Sequence, residues 1–593
     1  MPFGTRILAG GGVRFQLFAP AAHAVTLALD GVGDLYMDDT GDGWYACDAP
    51  AAGPGSRYRF LIDGSLAVPD PASRQQPLGH AGPSEVIDPN QFTWTDQAWR
   101  GRPWEDAVIH EVHVGSFTPE GDFDGIRRRL DHLLDLGVTA LELMPVAEGP
   151  GRWSWGYDGV LPFAPRHGYG GSQALRQLVD AAHARGLMVL LDVVYNHFGP
   201  EGNFLPNYAP AFLSRRHQTP WGAAINFDDV DSAPVRTFFV HNALYWLEEY
   251  HLDGLRLDAV HAIIDESEQH ILLDIAEAVH QGPGTDREVH LILENDANEA
   301  RYLRREAGGS VRHFSAQWND DLHHSLHVLL TEEATGYYAD YASDPLRRLL
   351  CCLEQGFAWQ GEPSPFRGGR PRGEPSADLP AAAFVGFLQN HDQIGNRAAG
   401  ERISVLAPEP ALRAATALLL LAPFPPLLFM GQEWGARQPF PFFWDCEEPL
   451  ATAVREGRQR EFPDQHAEQV PDPCAEETFR AAVLDWSWPE SAAAREWFAL
   501  HRELLHLRRE LVLPMLGRLR PVPGGFCRLG DRGLVATWCH GARRLTVLAN
   551  LGPQQLCDLV RPSGACFYAA PEPVAAMGEL TLVPWGVAWF ASS

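Results

Sequence analysis

The chain contains no lysine: all 47 of its basic residues are arginine. That absence removes whole classes of chemistry. A Schiff-base lysine, a pyridoxal-phosphate anchor and the lysine of a P-loop are each impossible. Cations are also outnumbered, giving a net charge of −29. This argues against nucleic acid or an anionic membrane as partner, because both need clustered positive charge. The longest apolar run, "ATALLLLAPFPPLLFM", is interrupted by prolines and too short to span a bilayer. No basic segment followed by an apolar one opens the chain, so no signal peptide is expected. Nine cysteines are scattered without a C-x-x-C pair, and only Cys351 and Cys352 are adjacent. An odd, unpatterned set fits reduced thiols in a cytoplasm better than a disulfide framework or zinc site.

What is present is an ordinary globular composition, 45% apolar and 21% charged, spread over 593 residues. That length exceeds one compact core, so several domains are expected. Residues 1–95 alternate apolar and polar positions between turn signals, as in "VRFQLFAP" and "AVTLALDG", and predict a β-sandwich. From 96 to 512 the pattern changes to short apolar runs, several of them separated by helical segments. The runs are "AVIHEVHVGSF", "VTALELMPV", "LMVLLDVVYNH", "GLRLDAVH", "VHLILEND", "HFSAQWND", "AAFVGFLQNHD" and "PPLLFMGQEW". Eight such runs predict a (β/α)8 barrel, an α/β fold, with an insertion after the third strand. Residues 513–593 return to alternating strands and predict a C-terminal all-β domain. The arginine- and proline-rich stretch at 367–375 reads as a flexible loop.

In such a barrel, catalytic groups sit where the strands end. The third run ends in Asp192, Asn196 and His197; the fourth carries Arg256, Asp258 and His261; the fifth Glu294 and Asp296. The seventh ends in Asn390, His391 and Asp392, and the eighth in Gln432 and Glu433. Serine hydrolysis has no G-x-S-x-G elbow here, and phosphate chemistry no glycine-rich cradle. A metal hydrolase stays open, since Asp192, His197, Asp258 and His391 are ligand types, but H-E-x-x-H spacing is missing. Glycoside cleavage fits best: it needs two carboxyl groups flanking the bond and aromatic rings against the sugar. Trp153, Trp155, Tyr157, Tyr195, Trp221, Trp318 and Trp434 supply rings near the expected rim.

"DVVYNH", "GLRLDAVH", "ILEND" and "FLQNHD" occur in that order on runs three, four, five and seven. Together they resemble the four short conserved regions of the α-amylase superfamily of retaining α-glucan enzymes. The resemblance implies roles. Asp258 matches the nucleophile, Glu294 the general acid and base, and Asp392 the carboxylate that grips the sugar's 2- and 3-hydroxyls. Arg256 matches the cation that keeps the nucleophile ionised, while Glu294 must start protonated. His197 and His391 match donors to the same glucosyl ring, and Tyr157 the ring beneath it. Asp192 is expected as a scaffold partner of Arg256. Asn196 is a calcium ligand in some relatives, but no acidic partners complete a site, so no metal or other cofactor is expected. His261 is either a plus-side substrate contact or a satisfied strand-end histidine.

Within the superfamily, "WGYDGVLPFAPRHGYGG", "PWGAAINFDD", "QWNDDLHHSLH" and "GQEWGARQPFPFFWD" resemble the trehalohydrolases, which release trehalose from maltooligosyltrehalose. Branching enzymes, debranching enzymes and general amylases are the alternatives. A catalytically inactive glycan-binding relative is a fourth, disfavoured because all three carboxylates are kept. The resemblance implies maltooligosyltrehalose as substrate and a maltooligosyltrehalose synthase as pathway partner. Trp221, Asp296, Trp318, Asn319 and the loop Glu433 to Phe443, with Glu433 and Trp434 at its start, are expected to shape a plus-side pocket for the bent disaccharide.

Overall fold

The computed structural model describes residues 2–462, 470–576 and 579–592. Eight parallel strands close into a barrel in chain order. They are β1 (Ile109–Val112), β2 (Ala140–Leu143), β3 (Met188–Val193), β4 (Gly254–Leu257), β5 (His290–Leu293), β6 (Ala316–Trp318), β7 (Phe384–Phe387) and β8 (Pro426–Phe429). Every residue of these strands is buried. Helices cover one face and the opposite face fills the barrel, which is why the sequence shows continuous apolar runs instead of alternation. The helix Phe123–Leu136 illustrates the local rules: the Asp122 side chain accepts the Gly125 N–H at 2.7 Å, and Gly137 at φ 102° ends the helix.

The barrel register brings the chemistry together. Asp192 on β3 lies beside Arg256 on β4, which lies beside Ile292 on β5. Asp258, two residues past Arg256, therefore points to the same side of the strand. Between β3 and β4 the chain inserts a hairpin, Leu213–Thr219 with Gly222–Ile225, whose turn carries Trp221, and then the helix Ser232–Glu249.

Two sheets ahead of the barrel, with strands from Gly4 to Glu85, enclose Phe15, Leu27, Tyr58 and Phe60 as a β-sandwich. This sandwich docks on the inserted helix. Arg74 donates to Glu249 at 2.6 Å, and Phe3 meets Phe238 edge-on at 5.0 Å. After the barrel, from Arg520, a five-stranded and a three-stranded sheet form the C-terminal all-β domain. Trp538 and Trp589 attach it: their indole N–H groups each donate at 3.2 Å, to the carbonyls of Leu353 and Ala417 on barrel helices.

Leu427 of β8 is fully buried in the cluster that fills the lower barrel. Replacing it with Ala should lower unfolding stability by about 2–5 kcal/mol. Urea denaturation followed by tryptophan fluorescence reads this, and a loss below about 1 kcal/mol contradicts tight barrel packing.

Candidate active site

The site is built around Arg256, which is wholly buried with its guanidinium 4.0 Å above the Trp318 ring. Its Nη1 donates to Asp192 Oδ2 at 2.6 Å and to Asp258 Oδ1 at 2.8 Å. Its Nη2 lies 3.9 Å from Glu294 Oε2. Three strand ends thus share one cation. Asn196 Nδ2 donates to Asp258 Oδ2 at 2.8 Å, so both oxygens of that carboxylate accept hydrogen bonds. Glu294 Oε2 accepts the Ala259 N–H at 2.6 Å. Ala259 adopts a left-handed φ of 41°, a conformation unfavourable for a residue with a Cβ. That backbone turns the N–H after Asp258 toward Glu294, so strain is spent on joining the two carboxyl groups.

Burial pushes the Glu294 carboxyl well above its usual range; Arg256 opposes the shift, and Asp258, Asp320 and Asp392 reinforce it. Burial likewise raises Asp192 to about 6, against the pull of Arg256.

On the other side of the cleft, Tyr157 donates its hydroxyl to Asp192 Oδ2 at 2.6 Å and lies 2.9 Å from His391 Nε2. His391 Nδ1 is 2.5 Å from Glu111 Oε1. Burial disfavours charge on this imidazole, but Asp392 and Glu111 outweigh it and hold its pKa at about 9. His391 is therefore a buried imidazolium committed to Glu111 and Tyr157. Its Nε2 also lies 3.4 Å from Asp392 Oδ1, so the ring stands between Tyr157 and the carboxylate expected to grip the sugar. Asp392 itself projects from the first turn after β7. There the Asn390 side chain caps the turn, accepting the Asp392 N–H at 2.9 Å. His197 stacks on Trp221 at 4.9 Å, and both line the cleft.

The cleft holds about 800 Å³, within the range of small-molecule sites, and contains Asp258, Glu294, Asp392, Tyr157, His197, His261, Asp296 and Trp221. Asp296 donates its N–H to His261 Nδ1 at 3.2 Å, fixing the histidine at the rim. Four residues expected on the plus side are elsewhere. Trp318 lies under Arg256, and Asn319 is buried, donating to the Gly356 carbonyl at 2.9 Å. Glu433 is fully buried between His110 and His132, each at 3.2 Å, and Trp434 packs against His132 and Trp486. The turn after β8 folds these two outward onto the helix Phe123–Leu136, away from the rim. Of the other rings, Trp155 lines the cleft. Tyr195 is buried and donates to Asn242, and Trp153 stacks on Phe479.

The stretch read as a flexible loop is pinned. Arg372 reaches Asp296 at 3.1 Å, Asp321 at 3.2 Å and the Tyr341 hydroxyl at 2.6 Å, and Arg367 pairs with Asp296. Its composition suggested mobility, but the carboxylates of Asp296 and of the buried Asp321 hold it. Phe442 and Phe443, at the far end of the expected plus-side loop, line the cleft, and so do Asp320, Tyr337, Arg367 and Arg372. Burial, then Asp296 and Asp392, raise Asp320 to about 7. For Asp320 a signal existed, since it is the last residue of the sixth run. Glu111, inside the first run, had none.

Asn196 joins two expected site residues, donating to Asp258 Oδ2 at 2.8 Å and meeting His197 Nδ1 through its Oδ1. His217, Asp228 and Glu266 come within reach of a common ion, but Arg216 already pairs with Glu266 at 2.5 Å and supplies the positive charge there.

His391 has a usual pKa of 6.5 and a folded value of about 9. Its stabilising charge is fully present below pH ~6.5 and lost as pH rises through ~9, on the order of 3 kcal/mol. Thermal unfolding from pH ~6 to ~10 should show that decline, with a shallower slope in Glu111→Gln. An unchanged slope contradicts the pair.

The α-amylase catalytic domain model matches residues 64–209, and a model for a domain of unknown function (DUF3459) matches 524–589. A malto-oligosyltrehalose trehalohydrolase of Rhizobium sp. (strain M-11) is 44% identical, covering 97% of this chain and 96% of the relative. One from Arthrobacter ramosus is 43% identical, covering 91% and 93%. The crystal structure of a Salmonella typhimurium protein described as a candidate α-amylase is 42% identical. It superposes with a TM-score of 0.95 over 100% of this chain and 99% of that one. With that similarity running through the barrel and both flanking domains, the chain belongs to the malto-oligosyltrehalose trehalohydrolase family of α-amylase-type glycoside hydrolases.

Proposed function

We propose that the protein cleaves the α-1,4-glucosidic bond next to the terminal trehalose of maltooligosyltrehalose, releasing trehalose and a maltooligosaccharide with retention of configuration. The observation that carries this reading is the arrangement of Asp258 and Glu294 about one guanidinium, in a chain similar over nearly its whole length to trehalohydrolases.

Chemically, the Asp258 carboxylate attacks the anomeric carbon while Glu294 gives its proton to the glycosidic oxygen. The C–O bond breaks, trehalose departs, and a β-glucosyl ester remains on Asp258. Glu294, now a carboxylate, takes a proton from water, whose oxygen attacks the same carbon and frees Asp258. Two inversions restore the α configuration. Asp392 steadies the sugar hydroxyls as the ring flattens, Tyr157 lies beneath the ring, and Arg256 compensates the charge that moves between the carboxyl groups. None of these steps draws on a cofactor.

No described helix is long and apolar enough to cross a membrane, and the nine cysteines are free thiols. Thiols of that kind fit a reducing compartment, so the cytoplasm is the proposed location. An enzyme that builds the α,α-1,1 linkage at the end of a maltooligosaccharide, a maltooligosyltrehalose synthase, must supply the substrate.

Two measurements test the reading. Because Glu294 must carry its proton, kcat/KM should fall as pH rises through its raised pKa. Glu294→Gln should remove that limb and lower kcat about 10²–10⁴-fold, with a smaller loss on substrates whose leaving group needs no proton. A Glu294→Gln enzyme with the wild-type pH profile excludes the assigned acid. Separately, kcat/KM on maltooligosyltrehalose should exceed that on a maltooligosaccharide of equal length, whereas equal values favour a general amylase.

A further inference from the structure

The helix Asp320–Thr331 begins at the cleft directly after β6. Asp320 and His324 stand one turn apart, so they share a face of that helix. Both line the cleft beside Glu294, Asp296 and Asp392, and neither has a part in the bond-breaking steps above.

Their free atoms are complementary. Asp320 Oδ1 accepts from Gln393 Nε2 at 3.2 Å, and Gln393 is held in turn because its Oε1 accepts the Asn390 N–H at 3.1 Å. Asp320 Oδ2 has no partner among the described residues, which leaves it for the cleft. His324 Nδ1 is buried without a partner, and its ring lies against Tyr337 and Tyr341, at 4.7 and 4.9 Å. A dry nitrogen with no acceptor nearby is less costly as a bare lone pair than as an N–H. Burial also holds His324 well below its usual pKa, so the ring is neutral; with Nδ1 dry and unpartnered, the proton is assigned to Nε2. The helix face therefore offers one carboxyl oxygen and one N–H, the complement of two neighbouring sugar hydroxyls, one donating and one accepting. The Tyr337 ring beside them walls the same space.

Position gives the side of the cleft. Asp320 immediately precedes Asp321, which shares Arg372 with Asp296, two residues past Glu294, so the helix start sits on the bank beyond Glu294. The pair thus faces the side of Glu294 to which the leaving group departs. A reducing-end glucose and a trehalose unit differ in direction at that point, because trehalose bends about its 1,1 linkage. Hydroxyl contacts fixed on a helix discriminate direction strongly, since a misplaced sugar leaves them unpaired.

We propose that Asp320 and His324 form the leaving-group subsite that recognises the hydroxyls of the trehalose unit and sets the preference for it over a linear α-1,4 chain. This rests on the trehalohydrolase reading.

The test compares wild type, Asp320→Ala, Asp320→Asn and His324→Phe on maltooligosyltrehalose and on a maltooligosaccharide of equal length, with trehalose as product inhibitor. His324→Phe keeps the ring packing and removes the N–H. In Asp320→Ala and His324→Phe, kcat/KM for maltooligosyltrehalose should fall at least about tenfold, mainly through KM, as expected for one lost polar contact. The loss on the linear chain should be several times smaller, and the inhibition constant for trehalose should rise in parallel. Asp320→Asn, which keeps an acceptor oxygen, should recover part of the preference. Equal losses on both substrates, or an unchanged trehalose inhibition constant in both variants, overturn the proposal. A wild type without preference instead refutes the trehalohydrolase reading and takes this subsite with it. A wild type whose preference survives both variants refutes the subsite alone.

Discussion

The buried guanidinium of Arg256 is the interaction on which the site depends. It compensates Asp192 and Asp258 directly and Glu294 at longer range. Without it, acidic groups from three strands would face one another in a dry interior, a cost of several kcal/mol per uncompensated charge. Arginine suits this place better than lysine, because its planar fork reaches two carboxylates while its face rests on Trp318. The lysine-free composition is consistent with such a centre.

A second chain of contacts extends from this centre to the opposite wall. Asp192 accepts from Tyr157, Tyr157 meets His391, and His391 is paired with Glu111 on β1. Strands β1, β3, β4 and β7 are thereby tied through side chains as well as through the ladder. Within this chain Glu111 faces the His391 imidazole and Asp192 faces the Arg256 guanidinium, with the Tyr157 hydroxyl joining the two pairs. Glu294 is set apart from that pattern. It has a backbone N–H and a distant cation, which lets burial favour its protonated form, as its proposed role as proton donor requires.

The wall beyond Glu294 is organised differently. Asp296, Arg367, Arg372 and Asp321 form a rigid ion-paired bank, and the helix that begins at Asp320 forms its neighbour. Rigid polar groups discriminate sugars by leaving wrong ones unsatisfied, so specificity here does not need a moving lid. The C-terminal domain, docked through Trp538 and Trp589 onto the helices behind β6 and β7, backs this same part of the barrel.

Much was legible in the chain itself. The eight apolar runs are the eight barrel strands, because parallel strands buried on both faces leave a periodicity that survives without tertiary information. Asp258, Glu294 and Asp392 were legible for a related reason: strand ends in a barrel share one rim, so polar residues there converge whatever the connecting helices do. Glu433, Trp434, Trp318 and Asn319 were not, since a turn of one or two residues decides whether a strand-end side chain enters the cleft or turns outward. Asn319 and Asp320 are neighbours with opposite fates. The arginine-rich loop was misleading for another reason. Its order comes from Asp296 and Asp321, which are distant in sequence, and no local composition records a partner that far away. The sequence by itself determined the barrel and the gathering of Asp258, Glu294 and Asp392 on one rim, through local periodicity and strand-end position, while their assigned roles come from the resemblance to the α-amylase superfamily. The tertiary structure alone decided which charges meet, which histidine is a cation and which side chains line the cleft, because those depend on distances between segments far apart in the chain.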